Sequence, residues 1–280
     1  MYSPNHLSPR LNQRQLVEAS PATVGWKYLS FEVLHLAPGE SEARHSGALE
    51  QALVPLNGVL KVEVGQQTFN LTRKSVFTDI PDVLYLPPGT AYRITALTDS
   101  QLALGGAPAE GRYPLTLFPA HEVKVEMRGG ANATRQVSHI LGSHRQAERL
   151  LLYEVYTPSG FWSGWPPHRH DGQLGSLYIE ETYYYRIDPL HGWALHHNYS
   201  PEHFLDEVLR ARNGDLILSP HGYHPVAAPP GSNVYYLNYM AGEALNEERA
   251  IPPVDDPHWS WMRQDWTGRP MRLPLEPEAL

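Results

Sequence analysis

A chain of 280 residues, 41% hydrophobic and 19% charged, has room for one large or two medium globular domains, and its 26 Pro, 22 Gly, 16 Tyr and 7 Trp favour short strands over long helices. A net charge of −8 argues against a nucleic-acid partner, and no apolar run approaches the ~18 residues of a membrane span. The absence of Cys removes disulfides and thiolate zinc sites and, with no apolar core in "MYSPNHLSPR" for a secretory leader, predicts a cytoplasmic protein.

In chain order, "LSFEVLHLA" (29–37) and "VLKVEV" (59–64) alternate apolar and polar residues at period two, as half-buried strands do. "FNLTRKSVF" and "YRITAL" follow as weaker strands. The second half offers "RLLLYEVYTPSG" (149–160), "SLYIEETYYYRI" (176–187), "DLILSP" (215–220) and "NVYYLNYMAG" (233–242), each bounded by Pro, Gly, Asn or Asp. The one helix candidate is "SPEHFLDEVLRA" (200–211), with Ser200 as cap and Pro201 at the first helical position. Residues 251–280, rich in Pro and without period, read as a tail draped over the domains or partly disordered.

An internal repeat organises these strands. "DVLYLPPG" from Asp82 and "DLILSPHG" from Asp215 share Asp, four strand residues, Pro, any residue and Gly. Upstream, "APGESEARHSG" (37–47) matches "TPSGFWSGWPPHRHDG" (157–172) as a Pro/Gly turn followed by histidine. Two similar all-β units follow, residues 1–135 and 136–250, of the sandwich or barrel kind.

The copies differ in histidine. His168 and His170 sit at i and i+2, so on a strand both rings meet one ion. Leu177, Ile179, Glu181 and Tyr183 share the more apolar strand face, which puts Glu181 rather than Glu180 inside, where a carboxylate needs a cation. After "SPHG" comes His224, with His221 as its competitor; the first copy has Ala91 there, and it keeps His45 of the pair with Gly47 at the second place. Singly, each residue has an ordinary structural reading: surface pair, solvated carboxylate, turn cap. In this order they read as a metal site of His168, His170, Glu181 and His224. His45 and Glu50 are the only degenerate remnant expected of a site in the first unit, and His196–His197 read as pocket lining or surface.

His-x-His, Glu, then a Pro-x-Gly turn carrying a last His resembles the cupin pattern. "PPHRHD", "EETYYYRI", "GYHPV" and "YYLNYMAG" are similar to motifs of the 5-deoxy-glucuronate isomerases of inositol catabolism. Related uronate isomerases of pectin breakdown share the His-x-His, the Glu-x-Tyr-x-Tyr strand and Met-Ala-Gly. The likeness covers about 135–245 and is diffuse before it. "GWALHHNY" departs from the Gly-Phe-Ala-x-Gln-Arg-x-Tyr of that family, which bears on substrate identity if those positions touch substrate.

The resemblance implies a bicupin of two β-sandwich or jelly-roll barrels with a few short helices. The first would be degenerate and the second metal-binding. It implies an aldose–ketose isomerase turning 5-deoxy-D-glucuronate into 2-deoxy-5-keto-D-gluconate, with one divalent ion as Lewis acid. Zinc is the first expectation, and manganese or iron suits the same ligands. Tyr183, Tyr185 and Glu180 are the candidates for proton transfer. Arg186, Arg135 and Trp165 are the candidates for binding the sugar acid, although parity puts Arg186 on the outer face with Glu180. A cupin dioxygenase would keep the same ligands, and a non-catalytic sugar-acid binder would keep the barrel. No nucleic-acid or membrane partner is expected. Strand edges that must be covered point to a homo-oligomer.

Overall fold

Alternation in the sequence becomes alternation in burial. In the strand Ser30–Leu36 of the computed structural model, Phe31, Val33 and Leu36 are buried while Glu32 and His35 are half-exposed. The structure describes residues 3–250, 252–268, 270–271 and 273–275; the last five residues of the expected tail lie outside the described residues.

The expected all-β bicupin forms, and its one α-helix among the described residues is the four-residue Pro21–Val24. The first barrel is a nine-stranded sheet. Its spine is the long strand Leu49–Val64, which pairs with Val83–Leu86 and Ser100–Pro108 at one end and with Gln67–Arg73 and Ala91–Ala96 at the other. A register shift between Pro55 and Asn57, followed by Gly58 at φ +90°, separates the two halves. This barrel is filled by side chains: Leu34, Leu53, Leu60, Leu71, Leu84 and Ile94 form part of one buried apolar cluster.

The second unit combines a seven-stranded sheet, in the order His6–Leu7, Leu216–Ser219, Ile179–Asp188, Asn233–Gly242, Leu151–Thr157, Arg135–Leu141, Lys124–Arg128, with a four-stranded sheet over it. A two-stranded ladder joins His168–Arg169 to Val254–Asp255 of the tail. The sheet does not respect a division at 135. Lys124–Arg128 pairs with Arg135–Leu141, and His6–Leu7 pairs with Leu216–Ser219, so both ends of the first segment are stitched into the second barrel.

The expected helix at 200–211 is not formed. Pro201–His203 makes a single 3-10 turn, Phe204 turns the chain at φ +51°, and Leu205–Ala211 returns as a strand on Ala194–Ser200. The reason is in the same residues: Leu205, Glu207, Leu209 and Ala211 are the more buried and alternate with exposed Asp206, Val208 and Arg210, a period of two.

The barrels pack sheet against sheet. Phe31 of the first lies 5.1 Å from the Tyr239 ring and 5.9 Å from the Tyr184 ring of the second. The Tyr239 ring comes so close to Gly105 that a Cβ there would stand 2.1 Å from it, and the Tyr239 hydroxyl donates to the Ala52 carbonyl at 3.0 Å.

Candidate metal centre

Two turns of the second barrel deliver the histidines. On the two-residue strand His168–Arg169, His168 and His170 flank Arg169, whose guanidinium points away into a buried pair with Asp171 (2.7 and 2.8 Å). Asp171 in turn accepts the Gly222 N–H at 2.7 Å, which ties this turn to "SPHGYH". Gly222 has φ +75°, and a Cβ there would lie 2.1 Å from the Tyr199 carbonyl oxygen, so the turn that presents His224 requires glycine.

Glu181 comes from the inner face of Ile179–Asp188. Its Oε2 lies 2.9 Å from His170 Nε2 and 3.3 Å from His224 Nε2. The Nδ1 atoms of His168, His170 and His224 contact the carbonyls of Pro166, Ile179 and Gly222 at 3.2, 2.9 and 3.1 Å. A carbonyl only accepts, so each Nδ1 carries the hydrogen and each Nε2 is left to bind a cation. The ligand-type atoms of His170, Glu181 and His224 lie within 4.8 Å of one another. His168 stands beside them, its ring 5.1 Å from that of His224 and 6.5 Å from that of His170.

These donors fit a divalent ion. His224 Nε2 is buried without a hydrogen-bond partner, and an orphaned acceptor aimed at a buried carboxylate is satisfied by a cation. Burial, with His170 alongside, pulls His168 down to about 3, and burial drives His224 well below its ordinary value, so both imidazoles are neutral as ligands must be. Burial pulls His170 the same way, but the hydrogen bond and charge of Glu181 outweigh it and raise that ring.

The cluster opens on a cavity of about 580 Å3 whose wall includes His168, His170, Glu181, Tyr183, Trp165 and Arg135. Arg135 is 8% exposed, donates to the Ala133 and Trp165 carbonyls at 3.2 and 3.0 Å, and has no carboxylate partner among the described residues. Three other sequence candidates lie elsewhere. The Tyr185 hydroxyl bonds His196 Nδ1 at 2.7 Å below the cavity wall. Arg186 faces the first barrel, bonded to Gln101 and over the Tyr184 ring at 5.2 Å. Glu180 faces it too, accepting the N–H groups of Lys27, Tyr28 and Leu29. None of these three lines the cavity: alternation turns Glu180 and Arg186 away, and Tyr185 is fully buried.

His221 is also outside the cluster, stacked on His203 at 4.0 Å. In the first barrel the equivalents have lost their ligands. Gln51 opposite Leu86 takes the place of Glu181 opposite Ser219, and Arg44-His45-Ser46-Gly47 parallels Arg169-His170-Asp171-Gly172, with His45 opposite Ala91. His45 therefore corresponds to His170 rather than His168. It is exposed, and Glu50 is consumed by the N–H groups of residues 148–150.

Sequence reasoning missed part of the wall. Arg128, His139 and Tyr153 belong to it, with the pair His139–Glu126 at 3.0 Å. So do Pro252, Pro253, Arg263 and Trp266 of the tail. "KVEMR" is too short and too charged to announce a strand, and the tail has no period at all.

The sequence model of the KduI/IolB family matches residues 4–262. A 5-deoxy-glucuronate isomerase of Geobacillus thermodenitrificans is 38% identical over 268 residues, 94% of each chain. One of Bacillus subtilis (strain 168) is 37% identical over 84% of this chain and 88% of its own. Among solved structures, an IolB-like protein of Salmonella typhimurium LT2 superposes with a TM-score of 0.87 at 35% identity, over 92% of this chain and 98% of that one. Oxalate decarboxylase of Bacillus subtilis, a protein with Mn(II) centres, shares the fold at a TM-score of 0.61 and 13% identity, over 91% and 80%.

Proposed function

Because the chain belongs to the KduI/IolB family, we propose that it is a metal-dependent aldose–ketose isomerase converting 5-deoxy-D-glucuronate to 2-deoxy-5-keto-D-gluconate in myo-inositol catabolism. The observation that carries the reading is the buried convergence of His170, Glu181 and His224 beside a cavity of about 580 Å3 that His168, His170 and Glu181 line. With His168 they offer three imidazoles and one carboxylate, a set suited first to zinc and also to manganese or iron. A divalent ion held there supplies Lewis-acid polarisation of a carbonyl.

The rest is done by the chain. Arg135, a buried cation without an acid partner among the described residues, takes the substrate carboxylate. Trp165 holds Arg135 through its carbonyl and offers its ring as an apolar wall. Burial, and then Glu181, pushes the Tyr183 hydroxyl well above its ordinary value, so it stays protonated and donates to a substrate oxygen rather than acting as base. The protein works in the cytoplasm on a small sugar acid. It assembles through its edges: the edge strand Lys124–Arg128 exposes Val125 and Met127, and sedimentation as a monomer would remove this assignment. No described helix is long and apolar enough to cross a membrane.

The test follows 5-deoxy-D-glucuronate by NMR in deuterated water with zinc-loaded protein. Ketose formation is expected, lost on chelation and in His168→Ala, while Arg135→Met raises KM about tenfold or more, as loss of a charge-assisted carboxylate contact does. No conversion by stoichiometrically loaded protein overturns the isomerase. Oxygen uptake without isomerisation points to the dioxygenase class instead.

A further inference from the structure

We propose that Glu180 is a positioning residue of the metal centre: clamped in the first barrel, it fixes the place of Glu181 and, through Ile179, of His170. The inference rests on the metal reading above. Glu180 is 2% exposed. Its carboxylate accepts three consecutive backbone N–H groups of the first barrel, Lys27 at 2.6 Å, Tyr28 at 2.9 Å and Leu29 at 2.7 Å, and the Tyr178 hydroxyl at 2.9 Å. These are charge-assisted bonds in a buried setting, the strong kind. Successive residues of a strand point to opposite faces, so the carboxylate held at 180 and the ligand at 181 are two ends of one rigid lever.

The neighbour on the other side completes the device. The Ile179 carbonyl takes His170 Nδ1 at 2.9 Å, and the Ile179 N–H donates to the His170 carbonyl at 2.7 Å. Residue 179 thus orients one ligand, residue 180 grips the other barrel and residue 181 is the second ligand. The strand between them is paired along its whole length with Asn233–Gly242, so a shift at 180 is transmitted and not absorbed locally.

The pseudo-repeat contains the control. Glu50 is the counterpart of Glu180, since its successor Gln51 stands where Glu181 does. Glu50 makes the reciprocal clasp, accepting the N–H groups of Glu148, Arg149 and Leu150 of the second barrel at 2.8, 2.5 and 2.8 Å and the Tyr85 hydroxyl at 2.8 Å. Each barrel pushes one glutamate into the turn that precedes the other's strand Ser30–Leu36 or Leu151–Thr157. Only the Glu180 clasp has a ligand next to it. If the clasps served the fold alone, the two would be interchangeable in every measurement.

The experiment compares full-length wild type, Glu180→Gln and Glu50→Gln after chelator stripping. Zn2+ is titrated in competition with a chromogenic chelator, the visible spectrum of Co2+-loaded protein is recorded, and urea unfolding of the stripped proteins is measured. Both variants are expected to lose similar stability. The Zn2+ dissociation constant rises at least tenfold in Glu180→Gln, the effect typical of residues that orient ligands, and stays within about twofold of wild type in Glu50→Gln. The Co2+ spectrum changes only in Glu180→Gln. Equal Zn2+ affinities and spectra in the two variants overturn the inference and leave Glu180 a clasp of the fold. If Glu180→Gln does not fold, Glu180→Asp against Glu50→Asp makes the same comparison. Absence of stoichiometric Zn2+ in wild type overturns the metal reading itself, a result distinct from the first.

Discussion

His196 shows what a buried histidine does outside the cluster of His170, Glu181 and His224. Its Nδ1 accepts the Tyr185 hydroxyl at 2.7 Å and its Nε2–H reaches Asn198 Oδ1 at 2.9 Å, so both ring nitrogens are used in the neutral form. It is absent from the cavity wall but packs edge-on against Tyr183, which lines it, at 4.7 Å between ring centroids, and His197 pairs with Asp206 at the surface. Burial holds His196 at about 4, below the ordinary 6.5. Above about pH 6.5 neither folded nor unfolded chain is protonated here, and the contribution of this site is complete. As pH falls below that, only the unfolded chain takes the proton, and stability drops by up to about 1.4 kcal/mol per pH unit until the folded ring titrates near 4. Urea unfolding of metal-loaded wild type and His196→Gln at pH 7 and 5 should therefore differ in slope, wild type losing on the order of 1–2 kcal/mol more over that interval. Equal losses would rule this titration out.

At the scale of elements, what was legible in the sequence is what period two and turn chemistry encode. "NVYYLNYMAG" forms the strand Asn233–Gly242 residue for residue, and parity alone turned Glu181 inward and Glu180 and Arg186 outward. Parity cannot tell how deep an inward residue lies, which is why Tyr185 was grouped with Tyr183. Strands of mixed polarity, Lys124–Arg128, Arg135–Leu141 and Ala194–Ser200, carry no such signal because their partners define their faces. Leu205–Ala211 is the instructive miss: Ser200-Pro201 starts a 3-10 turn as readily as a helix, the period-two pattern after it makes a strand, and the chain turns between them at Phe204, φ +51°. A left-handed residue with a Cβ carries strain, and Phe204 is 99% exposed, so its ring offers little in return. Phe204→Gly should stabilise the chain by about 0.5–1 kcal/mol, read from thermal melting. A loss of stability instead would mean that the ring is covered when the protein assembles.

Across the whole molecule, the two barrels are joined by groups that cannot be separated cheaply. Arg73 enters from the first barrel and Glu154 from the second, both side chains 0% exposed, with contacts of 2.5 and 3.1 Å. The same carboxylate accepts the hydroxyls of Tyr235 at 2.7 Å and Tyr156 at 3.1 Å. The reciprocal glutamates and the Tyr239–Gly105 contact lie at the same interface, so exposing it would strand several buried charges at once. The filled first barrel is in this sense a template: among the described residues it gathers no group of ligand-type side chains, but one of its turns holds the strand Ile179–Asp188 of the other through Glu180. Unfolding should accordingly be a single calorimetric transition. A buried pair contributes little over apolar replacements, whereas removing one partner leaves a charge without compensation. Arg73→Met should thus lose on the order of 3–5 kcal/mol, roughly 5–9 °C in Tm for a chain of this length. The double variant Arg73→Met/Glu154→Leu should recover at least half of that loss, because it removes the stranded carboxylate together with its partner. Two separated transitions in wild type, or a double variant no better than the single, would mean that the barrels are independent bodies and that the clasp at Glu180 cannot transmit position from one to the other.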